Sequence, residues 1–167
     1  MRLEPITAND LWLTEAFEAD PEMMVHLGGP RTKEQIAEVH QRRLDLMARG
    51  EAHMFKILPD DSDEPMGSIG FWETEHHGAN VYEMGWFVRR EFQGRGIATA
   101  AGKLAIDKAR ALSNLTAMHA FPAVSNEASN AICRKLGFEL LEERDFEYPP
   151  GSRMRCNDWR LDLLPSD

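Results

Sequence analysis

Apolar and polar residues alternate along this chain with two different periods. Arg2 to Ile6 reads as a short strand, and Thr7 can cap a helix carrying Leu11, Trp12, Ala16 and Phe17 at near-helical spacing. Pro21 restarts a short helical piece, Glu22 to Leu27, which Gly28-Gly29-Pro30 breaks. Thr32 and Gln35 have the form of a capping box, opening a helix with Ile36, Val39, Leu44 and Met47 that ends at Gly50. The period then shifts towards two. Ala52 to Leu58, Gly67 to Trp72 and Val81 to Val88 read as strands, the last two joined by a turn and therefore antiparallel. A long helix from Gly96 to Leu112 carries Ile97, Ala101, Leu104, Ala105, Ala109 and Leu112 on one stripe. Leu115 to Phe121 is a further strand, and Asn126 to Leu136 a helix closed by Gly137. Phe138 to Glu147 and Met154 to Leu163 form two last strands around Pro149-Pro150-Gly151. The order predicts an α/β (α+β) fold with a single mixed, mostly antiparallel central sheet flanked by helices.

The 167 residues suit one domain, 1–167, with 43% hydrophobic and 28% charged residues. No apolar run reaches the ~18–20 residues that span a bilayer, and Met1 to Pro5 has no signal-peptide character, so the expected location is cytoplasmic. A net charge of −9 argues against nucleic acid as a partner and leaves room for a cationic or amine substrate. Cys133 and Cys156 stand alone and read as structural thiols. The six histidines lack metal-ligand spacing, His76-His77 reads as a surface turn, and no metal site is expected. The acidic run Asp60 to Glu64 reads as a solvated hairpin loop, with a substrate-attracting rim as the alternative, and the four tryptophans as core or pocket wall.

Chemistry concentrates between Glu83 and Thr99. There a strand runs through a turn holding Gly94 and Gly96 directly into a helix. Such glycines let backbone amides point into one concavity, and the helix start adds free amides and partial positive charge, which together suit a phosphate. The dinucleotide pattern GxGxxG is absent, as is the P-loop ending in Gly-Lys-Ser/Thr. What stands here is Gln93, Gly96 and Ala98 in the spacing Gln-x-x-Gly-x-Ala. With the segment Asn126 to Phe138, in which Ser129 follows Asn126 by one turn and Gly137-Phe138 closes the helix, the chain resembles the GNAT acyltransferase superfamily. The resemblance spans most of the chain, Arg2 to Leu163. Ser129-Asn130 and Glu83 to Trp86 look most like the branch of ribosomal-protein N-terminal acetyltransferases and their relatives.

That resemblance implies an acetyl-CoA-dependent N-acetyltransferase, with direct transfer to an amine acceptor, no metal, and no nucleic acid or membrane partner. A homodimer is left open. It places the pyrophosphate on Gln93, Gly94, Arg95, Gly96, Ile97, Ala98 and Thr99, and the pantetheine arm along Trp86, Phe87 and Val88 with Asn126 orienting it. Glu83 is the candidate base, a carboxylate in an otherwise apolar strand that shares a face with Val81, Gly85 and Phe87. The competing reading is a solvated or ion-paired residue. Ser129 is the candidate acid for the departing thiolate, against a plain helix-surface hydroxyl. Many relatives use a tyrosine for this step. Only Tyr82 and Tyr148 occur here, neither between Asn126 and Phe138. Arg89, Arg90 and Arg95 read as phosphate-neutralising, with a solvated surface pair as the alternative for Arg89 and Arg90. A non-catalytic CoA-binding domain of the same fold is the rival function.

Overall fold

The computed structural model describes residues 1–147 and 150–164. Seven strands form one sheet: β1 (Arg2–Pro5), β2 (Ala52–Leu58), β3 (Gly67–His76), β4 (Ala79–Val88), β5 (Ala117–Ala120), β6 (Glu139–Glu147) and β7 (Arg153–Asp162). Their spatial order is β1-β2-β3-β4-β5-β7-β6. Every pairing is antiparallel except β4 with β5, which is parallel. The described residues hold four α-helices, α1 (Leu11–Glu18), α2 (Lys33–Ala48), α3 (Ile97–Leu112) and α4 (Glu127–Lys135). This is the mixed, mostly antiparallel sheet that the pattern predicts.

Local chemistry explains most boundaries. Thr32 and Gln35 close the capping box at the start of α2. Thr7 caps a single 3-10 turn, Ala8–Asp10, and the helix proper begins one turn later at Leu11. Gly137 takes φ +84°, and the amides of Gly137 and Phe138 return to the carbonyls of Arg134 and Cys133 at 3.1 and 3.0 Å. That is the double bond pattern of a left-handed helix stop.

Four expectations need correction. Residues 22–27 form hydrogen-bonded turns rather than a helix, because the Asp20 carboxylate takes the amides of Glu22 and Met23, and the left-handed Gly28 and Gly29 follow. The β3–β4 hairpin is longer than predicted. His76 pairs with Ala79 across a two-residue turn, His77 and Gly78, both at positive φ (50° and 77°). The strand predicted over Leu115 to Phe121 shrinks to Ala117–Ala120. On α3, Leu104 and Leu112 sit at the solvent edge, while Gly102 and Ile106 are buried.

The sheet has two different faces. Phe55, Ile57, Ile69, Phe71, Tyr82, Met84, Met118 and Trp159 join Ala101, Ala105 and Ala109 of α3 in one apolar cluster. The opposite face meets α1 and α2, with Phe17 stacked on Phe87 at 5.1 Å between ring centroids. There α1, α2 and the loop between them are tied by Glu18, 2% exposed, which pairs with Arg31 at 2.9 Å and Arg43 at 2.7 Å.

Candidate functional site

The sheet splits in its middle. β4 is paired with β3 along its whole length, from His76 with Ala79 to Gly67 with Val88. With β5 it pairs only at Tyr82–Met118 and Glu83–His119. Beyond Ala120 the chain leans towards β7 instead, since Asn157 N–H bonds to the Pro122 carbonyl, Val124 N–H to the Arg155 carbonyl (each 3.0 Å), and Ala123 bridges Cys156. From Met84 to Val88 the β5-facing edge of β4 therefore has no strand partner among the described residues. This edge contains Trp86, Phe87 and Val88, all half-buried. An extended ligand can add itself to such an edge through main-chain bonds.

At the open end of the edge the chain enters the glycine turn. Gln93 Nε2–H donates to the Val88 carbonyl at 2.9 Å and so closes the turn onto the strand. Gly94 and Gly96 both sit at φ +73° with open space where a Cβ would be, so conformation and not packing requires glycine there. Gly96 is the left-handed cap of α3, and no side chain caps that helix. The amides of Ile97, Ala98 and Thr99 are thus available at its positive end. Arg95 lies exposed with its guanidinium 5.8 Å from the Phe92 ring. Arg89 and Arg90 are committed elsewhere, to Glu64 and Glu91 and to Asp20 and Glu22 respectively. The acidic loop is not simply solvated, because Asp60 pairs with the N-terminus, Asp63 with Arg2 and Glu64 with Arg89.

The first turn of α4 supplies Asn126 and Ser129. The Asn126 side-chain oxygen accepts the Ser129 amide at 3.1 Å, so it works as a helix cap, and its NH₂ remains for other partners. The Ser129 side chain is half-buried, and its hydroxyl makes no hydrogen bond among the described residues. Asn130, 3% exposed, is a structural hub. It donates to the carbonyls of Ala123 (2.9 Å) and Asn126 (2.8 Å) and accepts from Asn157 Nδ2 and Trp159 Nε1 (both 2.8 Å).

Glu83 sits where β4 and β5 part. It is half-buried on the face away from α3, and loss of solvent pushes its carboxyl from an ordinary 4.5 up to about 7. The Trp72 indole, across the β3–β4 pair, pulls the other way by donating to the charged form. Of the two sequence readings, the structure gives Glu83 no ion pair among the described residues. Tyr82 is fully buried and lines the opposite, apolar face. Tyr148 lies outside the described residues.

The structure adds a cluster that sequence reasoning missed. His119 Nδ1 and His76 Nε2 each meet a different oxygen of Asp158 at 2.7 Å, and Arg144 reaches His76 Nδ1 at 3.2 Å. His76 is therefore part of β3 and of this network, not of a surface turn. Sequence separations of 39 and 82 residues hid it. The usable signal was His119, a polar residue inside the otherwise apolar strand Ala117–Ala120. The three groups lie within 4.8 Å of one another. One ring nitrogen of each histidine meets the carboxylate, so the cluster is a hydrogen-bond network centred on Asp158. Both thiols are buried and kept protonated, Cys133 pushed up to about 12 and Cys156 to about 11 by burial, the latter also by the Glu83 charge.

Residues 1–139 match the family model described as the acetyltransferase (GNAT) domain. An uncharacterised N-acetyltransferase, p20, of Bacillus licheniformis is 29% identical over 140 residues, covering 81% of this chain and 77% of that protein. A ribosomal protein L7/L12 α-N-acetyltransferase in complex with coenzyme A superposes with TM-score 0.79 at 20% identity, over 96% of this chain and 92% of that one. Spermidine N-acetyltransferase of Vibrio cholerae, in complex with CoA and spermine, gives TM-score 0.79 at 16% identity over 97% and 95%. Ribosomal-protein-S5-alanine acetyltransferase of Vibrio fischeri gives 0.78 at 17% over 96% and 92%. Among the described residues, no helix is long and apolar enough to cross a membrane.

Proposed function

From the premise that the chain belongs to the GNAT acetyltransferase family, we propose that it moves the acetyl group of acetyl-CoA directly to a primary amine. The acceptor is of the class of peptide α-amines, polyamines, amino acids or aminoglycoside-like amines. The observation that carries this reading is the fork. An unpaired β4 edge from Met84 to Val88 leads to an uncapped helix start at one end and to Glu83 at the other. Acetyl-CoA fits that path, its pyrophosphate on the amides of Gln93 to Thr99 and its pantetheine arm along Trp86 to Val88, with the Asn126 NH₂ beside the arm. The absence of an ionised thiol at neutral pH supports direct attack over a covalent enzyme intermediate.

The chemistry then follows the residues. Glu83 takes a proton from the acceptor ammonium, for which a carboxyl titrating near neutrality is suited. The amine attacks the thioester carbonyl, whose developing negative charge is met by a backbone N–H on the free β4 edge. The carbon–sulfur bond breaks, and the Ser129 hydroxyl donates to the leaving thiolate. The neighbours at 20% identity or less supply the fold and not the acceptor.

Turnover of acetyl-CoA against an amine panel, read as free thiol, tests the reading. Steady release with one amine class is expected. Slow release that no amine accelerates would leave a CoA-binding domain without turnover. Gly96→Asp puts a Cβ and a negative charge at the pyrophosphate position. Calorimetry should show acetyl-CoA binding lost in a variant that stays folded, and unchanged affinity would remove the turn from the site.

A further inference from the structure

The fork contains a second proton-handling group that the steps above leave idle. His119 is the cross-strand neighbour of Glu83, and paired residues of a ladder project from the same face. It is 4% exposed, in a strand otherwise made of Ala117, Met118 and Ala120. Its Nδ1–H donates to Asp158 Oδ1, while His76 donates to Oδ2. Asp158 is 0% exposed. Burial alone would raise its carboxyl, but the two imidazole donors outweigh that and hold it below the ordinary range. An ionised Asp158 therefore fixes the His119 tautomer, with the proton on Nδ1 and a bare lone pair on Nε2.

The other groups facing His119 are already occupied. Arg160, its partner on β7, turns to Asp162 at 2.7 Å. From β6, Arg144 meets His76 at 3.2 Å and Glu142 lies 3.5 Å from His77. Cys156 stays protonated, and Phe121 stacks on the imidazole at 5.8 Å. No side chain among the described residues bonds to His119 Nε2. The bare nitrogen and the Glu83 carboxyl thus share one face of the fork.

Resting on the acetyl-transfer reading, we propose that His119, set by Asp158, is the second proton acceptor of the site and relays the proton that Glu83 takes from the acceptor ammonium. The ammonium N–H bond breaks and its proton passes to the Glu83 carboxylate, then to His119 Nε2. Asp158 stays ionised and offsets the imidazolium. Glu83 returns to its carboxylate form, and the imidazolium releases the proton to solvent at the fork. Asp158 is a positioning residue in this scheme.

Two measurements test the relay, and the first needs no acceptor. Nitrogen-15 spectra of the histidine rings should show His119 as the Nδ1–H tautomer in the wild type, with a pH response that changes in Glu83→Gln. Asp158→Asn should abolish the tautomer preference. An identical His119 titration curve with and without the Glu83 carboxyl would overturn the coupling, even if no amine is ever found to react. The second is the acid limb of log kcat against pH with a reactive amine. Two groups that must both be unprotonated give a limiting slope of two, and His119→Gln should reduce it to one while kcat falls about ten- to a hundredfold. A merely structural histidine would move Tm but not the slope. A wild-type slope of one, or full kcat in a folded His119→Gln, would overturn the relay. Loss of all turnover in the wild type would instead overturn the acetyl-transfer reading and leave the spectra to decide the relay.

Discussion

Under α3 the sheet presents Ile69, Phe71, Tyr82, Met84, Met118 and Trp159. On its other face the same strands present Trp72, Glu83, His119, Cys156 and Asp158. The two sets alternate residue by residue, so the difference is not one of sequence region but of what covers each face. The first face is sealed by a sixteen-residue helix with alanines turned inward. The second meets α1 and the turn before it, with Phe17 on Phe87 and Lys56 on Asp10 at 3.2 Å. Polar groups survive there because each is given partners, as Asp158 is by two imidazoles. Glu83 is treated differently. Its solvent is withdrawn with only the Trp72 indole in compensation among the described residues, and that unequal treatment raises its carboxyl towards neutrality.

If the faces divide stability from chemistry, variants on each should separate the two. Phe71 is fully buried on the sealed face, edge-on to Tyr82 at 5.0 Å and stacked with His53 at 4.8 Å. Phe71→Ala should cost about 3–5 kcal/mol of stability by denaturant titration. The kcat of the fraction that remains folded should be unchanged, and a large kcat loss at unchanged stability would break the division.

Glu83→Gln is the converse. Turnover at neutral pH should fall on the order of 10²–10⁴-fold with acetyl-CoA binding retained, because a general base is lost. Stability should move the opposite way. A carboxyl raised in the folded state stabilises the fold only while protonated, and that contribution is lost as pH rises from 4.5 through about 7. Above pH 7 the charge is a burden of up to about 3 kcal/mol, which Gln removes. The variant should therefore have the higher Tm at pH 8, and the two curves should converge below pH 4.5. A lower Tm at pH 8 would mark Glu83 as a structural ion.

The glycine turn, the α2 capping box and the left-handed stop at Gly137 were legible because each is written within a few residues. Glu83 was legible as the one carboxylate in an apolar strand. The fork itself was not, because it depends on β5 pairing with β4 at only two positions and then turning to β7. The His76–Asp158–His119 network was missed for the same reason, its members being joined only when β3 and β7 flank the fork. The helix expected over residues 22–27 failed where a side chain, Asp20, outbid the backbone for two amides. Asn130 stood in the motif, yet the two bonds that tie it to β7 come from Asn157 and Trp159, 27 and 29 residues away.

Ser129 tests whether α4 takes part in the chemistry of the second face. Ser129→Ala removes a donor and little volume, so stability should hardly change. Because the bond strengthens only as sulfur gains charge, kcat should fall more than binding, by about ten- to a hundredfold. Full kcat with a good amine would assign the thiolate proton to water.

The smallest expected effect belongs to Trp72, and it sharpens the comparison most finely. Its indole favours the charged form of Glu83 against the burial that opposes it, and the residues are direct partners across β3 and β4. Trp72→Phe keeps an aromatic wall and deletes the N–H. The Glu83 carboxyl should then rise further above 7, since burial is left unopposed. A hydrogen bond to a charged group is worth about 1.5–3 kcal/mol, and one pH unit about 1.4, so the acid limb of the pH–rate profile should move up by about one unit. At neutral pH that is a loss of roughly tenfold or less, recovered by pH 9, with the acetyl-CoA KM unchanged. If Trp72 were only a wall of the acceptor pocket, the amine KM would rise and the limb would stay in place. A fixed limb would mean that the indole does not tune the base, and that the pKa of Glu83 is set by burial alone.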